Sequence, residues 1–148
     1  MASDPSASGF SVRLVDWTTA RVELEDVRRA VFIVEQAIPE DMEWDEFDAV
    51  SRHALAVNAS GLSVGCGRLL PDGHIGRLAV LSEWRGHKIG SMLLERLVDL
   101  ARERGHTRVV LNSQVQAMPF YVRHGFAADG DEYMEAGIPH RTMARTLD

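Results

Sequence analysis

Strict alternation opens the patterned part of the chain. Over residues 10–17, Phe10, Val12 and Leu14 alternate with polar or charged positions, the period of a half-buried strand. The period then lengthens. Leu24, Val27, Val31 and Val34 recur at helical spacing, which predicts a helix capped by Thr18 or Thr19, running to about Gln36 and stopped by Pro39. Strands are predicted at 53–58, 62–70 and 74–81, separated by the turn sequences Asn58-Ala59-Ser60-Gly61 and Pro71-Asp72-Gly73. Turns this short make the three strands antiparallel neighbours. Ile89, Met92, Leu93, Leu97, Leu100 and Ala101 form the apolar face of a long second helix over 89–104, with Gly105 as its C-cap. A strand follows at 108–112, then a short helix at 117–124 with Pro119 in its first turn and Gly125 at its end. Two last strands, 126–135 and 140–147, read as a hairpin.

The passage from 74 to 112 is strand, helix, strand, a right-handed parallel crossover. The order therefore predicts an α/β fold of the α+β kind. Its sheet is mixed but mostly antiparallel, with six to seven strands and one parallel pair, and helices pack on it. Residues 10–148 make one domain, preceded by a Ser/Ala-rich tail over 1–9 that is expected to be disordered.

Composition changes this picture only by exclusion. The 148 residues carry a formal net charge of −6, which argues against nucleic acid or an anionic membrane as partner. No apolar run approaches the ~20 residues that span a bilayer. The single cysteine permits no internal disulfide, and the first residues lack the basic and apolar regions of a signal peptide. A cytoplasmic location is expected. Cys66 alternates in phase with Leu62 and Val64, so it reads as a buried apolar position and not as a nucleophile. Asp41, Glu43, Asp45, Glu46 and Asp48 crowd one segment. They read as a solvated loop or as a negative rim that attracts a cationic substrate, and their spacing is not that of a calcium loop. No metal is predicted.

The candidate chemistry begins at Arg85-Gly86-His87-Lys88-Ile89-Gly90-Ser91, between the strand at 74–81 and the second helix. A helix start carries unpaired N–H groups and the positive end of the helix dipole. Glycines let a ligand approach the backbone, and the basic side chains add charge. The segment is a candidate cradle for a phosphate or diphosphate. Lys88 fits such a cradle if it keeps a negative φ; its charge then clamps the anion, and otherwise its bulk crowds it. The order Gly-x4-Gly-Lys-Ser/Thr is absent, so an ATP-binding loop is a poor reading.

These residues resemble the GNAT N-acetyltransferase superfamily, whose pyrophosphate loop reads Arg/Gln-x-x-Gly-x-Gly/Ala. Here Arg85 and Gly90 match, and Lys88 replaces the middle glycine. Gln114, Ala117, Phe120-Tyr121 and Gly125-Phe126 resemble the second cofactor segment, with Gln114 in place of the usual asparagine. Val31-Phe32-Ile33-Val34-Glu35-Gln36, Gly76-Arg77-Leu78-Ala79-Val80 and Glu135-Ala136-Gly137-Ile138-Pro139-His140 make the chain similar to the ElaA-like branch. The resemblance implies helices on both faces of the sheet and a parallel pair that splays open. It implies acetyl-CoA as co-substrate and an amine as acceptor. The pantetheine would lie along Leu78, Ala79 and Val80, and the diphosphate on Arg85, Gly86, His87, Lys88, Ile89, Gly90 and Ser91. Gln114, Ala117, Phe120 and Arg123 would complete the cofactor site. Relatives of this family often dimerise, so the resemblance leaves room for a homodimer.

The reaction needs a neutral amine. A lysine-like amine with pKa ~10.4 is neutral in about one molecule in 2,500 near pH 7, a penalty of ~4.6 kcal/mol, whereas an α-amine needs only about 1 kcal/mol. The resemblance makes Tyr121 the candidate acid for the leaving thiolate and the Val80 N–H the oxyanion donor. Glu35 and His140 are the first candidates for a base, ahead of His53 and His74 at strand starts. The rival reading is a non-catalytic acyl-CoA-binding or interaction module on the same fold.

Overall fold

The computed structural model describes residues 9–148 of the chain. Of the expected tail, 1–9, all but Gly9 lies outside the described residues, and the Gly9 carbonyl accepts from Ala59 N–H at 2.8 Å. Seven strands form one sheet: β1 (Phe10–Asp16), β2 (Arg52–Asn58), β3 (Ser63–Leu69), β4 (His74–Val80), β5 (Arg108–Gln114), β6 (Ala127–Glu135) and β7 (Ile138–Thr146). Their spatial order is β1-β2-β3-β4-β5-β7-β6. All neighbours are antiparallel except β4 and β5, and the closing hairpin inserts β7 between β5 and β6.

The helices occupy opposite faces because adjacent strand residues point opposite ways. Helix α1 (Trp17–Arg28) sets Leu24 and Val27 against Leu55, Cys66 and Ala79. Helix α3 (Ile89–Glu103) sets Leu93, Leu94, Leu97 and Val98 against Ala54, Ala56, Val64 and Leu69 on the other face. The α3 contact is close. A Cβ on Gly67 would stand 2.9 Å from Leu97 Cδ1, and one on Gly65 would stand 2.9 Å from Leu93 Cδ1. Glycine at both positions of β3 is what lets the helix sit so near the sheet.

Two expected details of the first helix change. Its cap is Asp16, which accepts from Thr19 N–H at 2.8 Å, and not Thr18 or Thr19. A carboxylate at the end of β1 reaches an orphan N–H as readily as a threonine does. The segment Arg29–Glu35 then continues as a π-helix. An extra residue per turn breaks the apolar stripe, so Val31 stays buried while Val34 is 74% exposed. A four-residue helix, α2 (Glu40–Glu43), lies in the acidic segment. The short late helix α4 spans Met118–Arg123. No helix among the described residues is long and apolar enough to cross a membrane.

Candidate functional site

β4 and β5 pair over only two positions, His74↔Val110 and Ile75↔Leu111. Beyond them the strands part. A bulge in β4 contributes. Cys66 opposes Ala79 and Arg68 opposes Gly76, so Gly67 alone faces Arg77 and Leu78. Arg77 has φ +51°, a left-handed conformation that turns the strand and re-aims its side chain. On the β3 side, Leu81 N–H donates to Val64 O at 2.9 Å. Gly65 and Val80 are therefore opposite but not bonded, and the N–H and C=O of Val80 face the splay. Arg85 Nε reaches that carbonyl from outside, at 3.0 Å.

Two cavities meet in the splay. The larger, about 670 Å³, runs between β4, the start of α3 and α4. Among the residues expected to hold the cofactor, Leu78, Ala79, Val80, Arg85, Gly86, Lys88, Ile89, Gly90, Ser91, Gln114, Ala117, Phe120 and Arg123 line it. His87 does not; its ring packs edge-on to Trp84 with centroids 6.1 Å apart. The smaller cavity, about 330 Å³, is lined by Phe32, Arg68, Arg77, Asn112, Glu135 and His140 among others. Tyr121, Gln36, Leu78, Gln114 and Ala117 border both. Gln114 Nε2 donates to Gln36 Oε1 at 2.7 Å, tying the end of β5 to the π-helical segment across the gap.

The larger cavity suits a diphosphate on local grounds. Lys88 provides no side-chain cap to α3, and the first intrahelical bond is Met92 N–H to Lys88 O at 3.1 Å. The N–H groups of Ile89, Gly90 and Ser91 precede that bond and belong to residues on the cavity wall. Gly86 has φ +86° and open space where a Cβ would stand. Lys88 differs from expectation. Its φ is +67°, not negative, so the lysine that replaces the loop glycine occupies a strained left-handed conformation.

Glu35 and Arg85 meet across this cavity. Both guanidinium Nη atoms stand 2.7 Å from the two Glu35 oxygens. The Arg85 hydrogen bond holds the Glu35 carboxyl below the usual carboxylate range. Such pairing weakens Glu35 as a base and makes it a strap between the π-helical segment and the loop. His140 is better poised. It is buried, and its Nδ1 lies 2.7 Å from Ile138 O. A carbonyl only accepts, so Nδ1 carries a hydrogen, and Nε2, 3.7 Å from Glu135 Oε2, is the nitrogen that holds the lone pair when the ring is neutral. The Tyr121 ring packs edge-on to Phe120 and Phe126, and burial pushes its hydroxyl pKa up to about 12.

Other candidates take structural roles. His53 is buried beside Trp17, its Nε2 2.9 Å from Asp48 O, and burial depresses its pKa. Cys66 is buried, its thiol pushed up to about 12 by that burial, as an apolar core position should be. The acidic segment divides: Asp41 and Glu46 are exposed, as a solvated loop requires, whereas Glu43, Asp45 and Asp48 are tied to arginines. Asp48 bonds Arg28 at 2.6 Å and Arg68 at 2.9 Å, Asp45 bonds Arg68 at 2.7 Å, and Glu43 bonds Arg28 at 2.8 Å and Arg77 at 3.1 Å. Three carboxylates thus meet three arginines from α1, β3 and β4. The spacing of Glu43, Asp45 and Asp48 gave no signal of this, because each arginine comes from another element.

Comparisons with known proteins agree with this architecture. Residues 9–147 match the family described as an acetyltransferase (GNAT) domain. An uncharacterized N-acetyltransferase of Bacillus subtilis, YjcF, is 35% identical over 123 residues, covering 80% of this chain and 87% of YjcF. The protein ElaA of Escherichia coli is 33% identical over 132 residues, covering 84% of this chain and 86% of ElaA. The crystal structure of Escherichia coli ElaA superposes with a TM-score of 0.81 at 28% identity, covering 92% of this chain and 99% of that one. An acyl-CoA N-acyltransferase from Pseudomonas aeruginosa superposes with a TM-score of 0.81 at 31% identity, covering 93% and 99%.

Proposed function

The chain belongs to the GNAT acetyltransferase family, and from that premise we propose that it moves an acetyl group from acetyl-CoA to a primary amine, small or peptidyl, by direct attack in a ternary complex. One observation carries this reading: the Tyr121 side chain borders both cavities, at the junction where a donor thioester and an acceptor amine would meet. Acetyl-CoA supplies an activated acyl group, and the remaining work falls to the chain. The uncapped N–H groups at the start of α3 bind the diphosphate. The Val80 N–H, turned into the splay, donates to the oxygen on which negative charge develops. His140 Nε2 takes the proton of the attacking amine in the smaller cavity. Glu35 stays ionised on Arg85 and fixes the loop.

Tyr121 acts at the leaving sulfur. With its pKa near 12 and a thiol near 8.5, complete proton transfer is uphill by roughly 5 kcal/mol. The hydroxyl therefore serves as a hydrogen-bond donor to the developing thiolate, a contact to a charged group worth about 1.5–3 kcal/mol. Tyr121→Phe should lower turnover by about 10- to 150-fold while acetyl-CoA affinity changes little. The measurement is free-thiol release against calorimetric binding. Unchanged turnover in the variant would remove Tyr121 from the chemistry.

The acceptor meets a nearly neutral wall. Glu43 and Arg77, both on the smaller cavity, are paired to each other, so Glu43 adds little to electrostatic steering of a cation.

A further inference from the structure

A run of polar side chains beside the larger cavity has no part in the chemistry above. Ser91, in the first turn of α3 and on the cavity wall, has its Oγ 2.9 Å from His124 Nε2. His124 Nδ1 lies 2.7 Å from Glu95 Oε2, one turn further along the same helix. Arg145 of β7 closes the run. Its Nη1 stands 3.3 Å from Glu95 Oε2 and donates to His124 O at 3.0 Å. The Phe120 ring packs against the imidazole with centroids 5.0 Å apart. The charged groups facing His124 are thus Glu95 from α3 and Arg145 from β7, with Arg123 preceding it on α4.

A carboxylate only accepts, so Glu95 keeps a hydrogen on Nδ1 whatever the charge of the ring. Nε2 then has two states. Neutral, it accepts the Ser91 hydroxyl hydrogen and leaves the serine presenting lone pairs to the cavity. Protonated, it donates to Ser91 Oγ, and the hydroxyl hydrogen is free to turn outward. An anionic oxygen in the cavity is repelled by the first arrangement and bonded by the second. Ser91 follows Ile89 and Gly90 at the uncapped start of α3, so its hydroxyl adds to the same donor group.

We propose that His124 is a positioning residue for the diphosphate of the co-substrate: a proton taken from solvent onto Nε2 reverses the Ser91–His124 hydrogen bond and turns the Ser91 hydroxyl onto a phosphate oxygen. The proton returns to solvent when the ligand leaves. This rests on the acetyl-CoA reading above.

The test is calorimetric titration of the whole protein with CoA in two buffers of different ionisation enthalpy, for wild type, His124→Gln and Ser91→Ala. Glutamine can donate permanently to Ser91, and alanine removes the hydroxyl while leaving the imidazole in place. At about pH 8, wild type should take up more protons on binding than either variant. Wild-type affinity should be on the order of tenfold weaker there than at about pH 6, and each variant should show a flatter dependence. Equal proton uptake in wild type and Ser91→Ala would overturn the relay even if His124→Gln failed to fold, with CoA binding still intact. Absence of CoA binding by wild type would instead overturn the acetyl-CoA reading, and the relay with it.

Discussion

Lys88 stands at φ +67° in the loop that opens α3, where an L-residue costs ~1–2 kcal/mol over a right-handed conformation. Two substitutions separate its strain from its charge. Lys88→Ala loses the charge and keeps the Cβ, so the strain remains. Lys88→Gly loses both, and should raise stability by about 1 kcal/mol relative to Lys88→Ala after the larger unfolded-state entropy of glycine is counted. Both should weaken CoA binding by a similar ~0.2–1 kcal/mol, the worth of an exposed charge. Thermal unfolding and calorimetry read the two effects, and equal stability of the two variants would show that the backbone there is not strained. The sequence marked Lys88 as irregular but could not give its φ, because a single left-handed residue leaves no periodic trace. His140 was legible as a candidate base, but only the Ile138 carbonyl at 2.7 Å shows that Nδ1 is the nitrogen already engaged.

At the scale of elements, patterning carried the strands and α3, whose apolar positions repeat over several turns. It carried less of α1, where the passage into a π-helix at Arg29–Glu35 swings Val34 out and leaves Glu35 and Gln36 on the cavity wall. Helical spacing alone does not distinguish the two helices over so short a run. The acidic segment is the larger difference. Its charges were plain in the sequence, but their partners Arg28, Arg68 and Arg77 lie on three other elements, brought there by the sheet and the β4 bulge. Trp17 and Trp44 flank the Arg28 guanidinium at 5.5 and 5.0 Å from their ring centroids, and its ion pairs with Glu43 and Asp48 are shut from water. Removing one partner should therefore be costly. Asp48→Asn deprives two arginines of one shared carboxylate and should destabilise by about 3–5 kcal/mol. Urea unfolding should show the midpoint fall at an unchanged slope. A change within experimental scatter would mean that Asp48 is dispensable to the network.

For the whole molecule, the sequence foretold the parallel crossover and, through resemblance, the splay between β4 and β5. The two cavities follow from that splay, since two bonded positions hold the strands together at one end only. The wall of the larger cavity was legible because most of it comes from two continuous segments, the loop before α3 and the stretch from Gln114 to Arg123. The smaller cavity was not. Its wall gathers Phe32, Arg68, Arg77, Asn112 and His140 from separate elements, and no local pattern joins them. The most direct test of the account combines acetyl-CoA with a panel of α-amines, lysine-like amines and peptides, with mass detection of products. The account predicts at least one amine heavier by one acetyl group, with an equal amount of free CoA released. Tight CoA binding with no acetylated amine across the panel would contradict it and leave a binding module on the same fold.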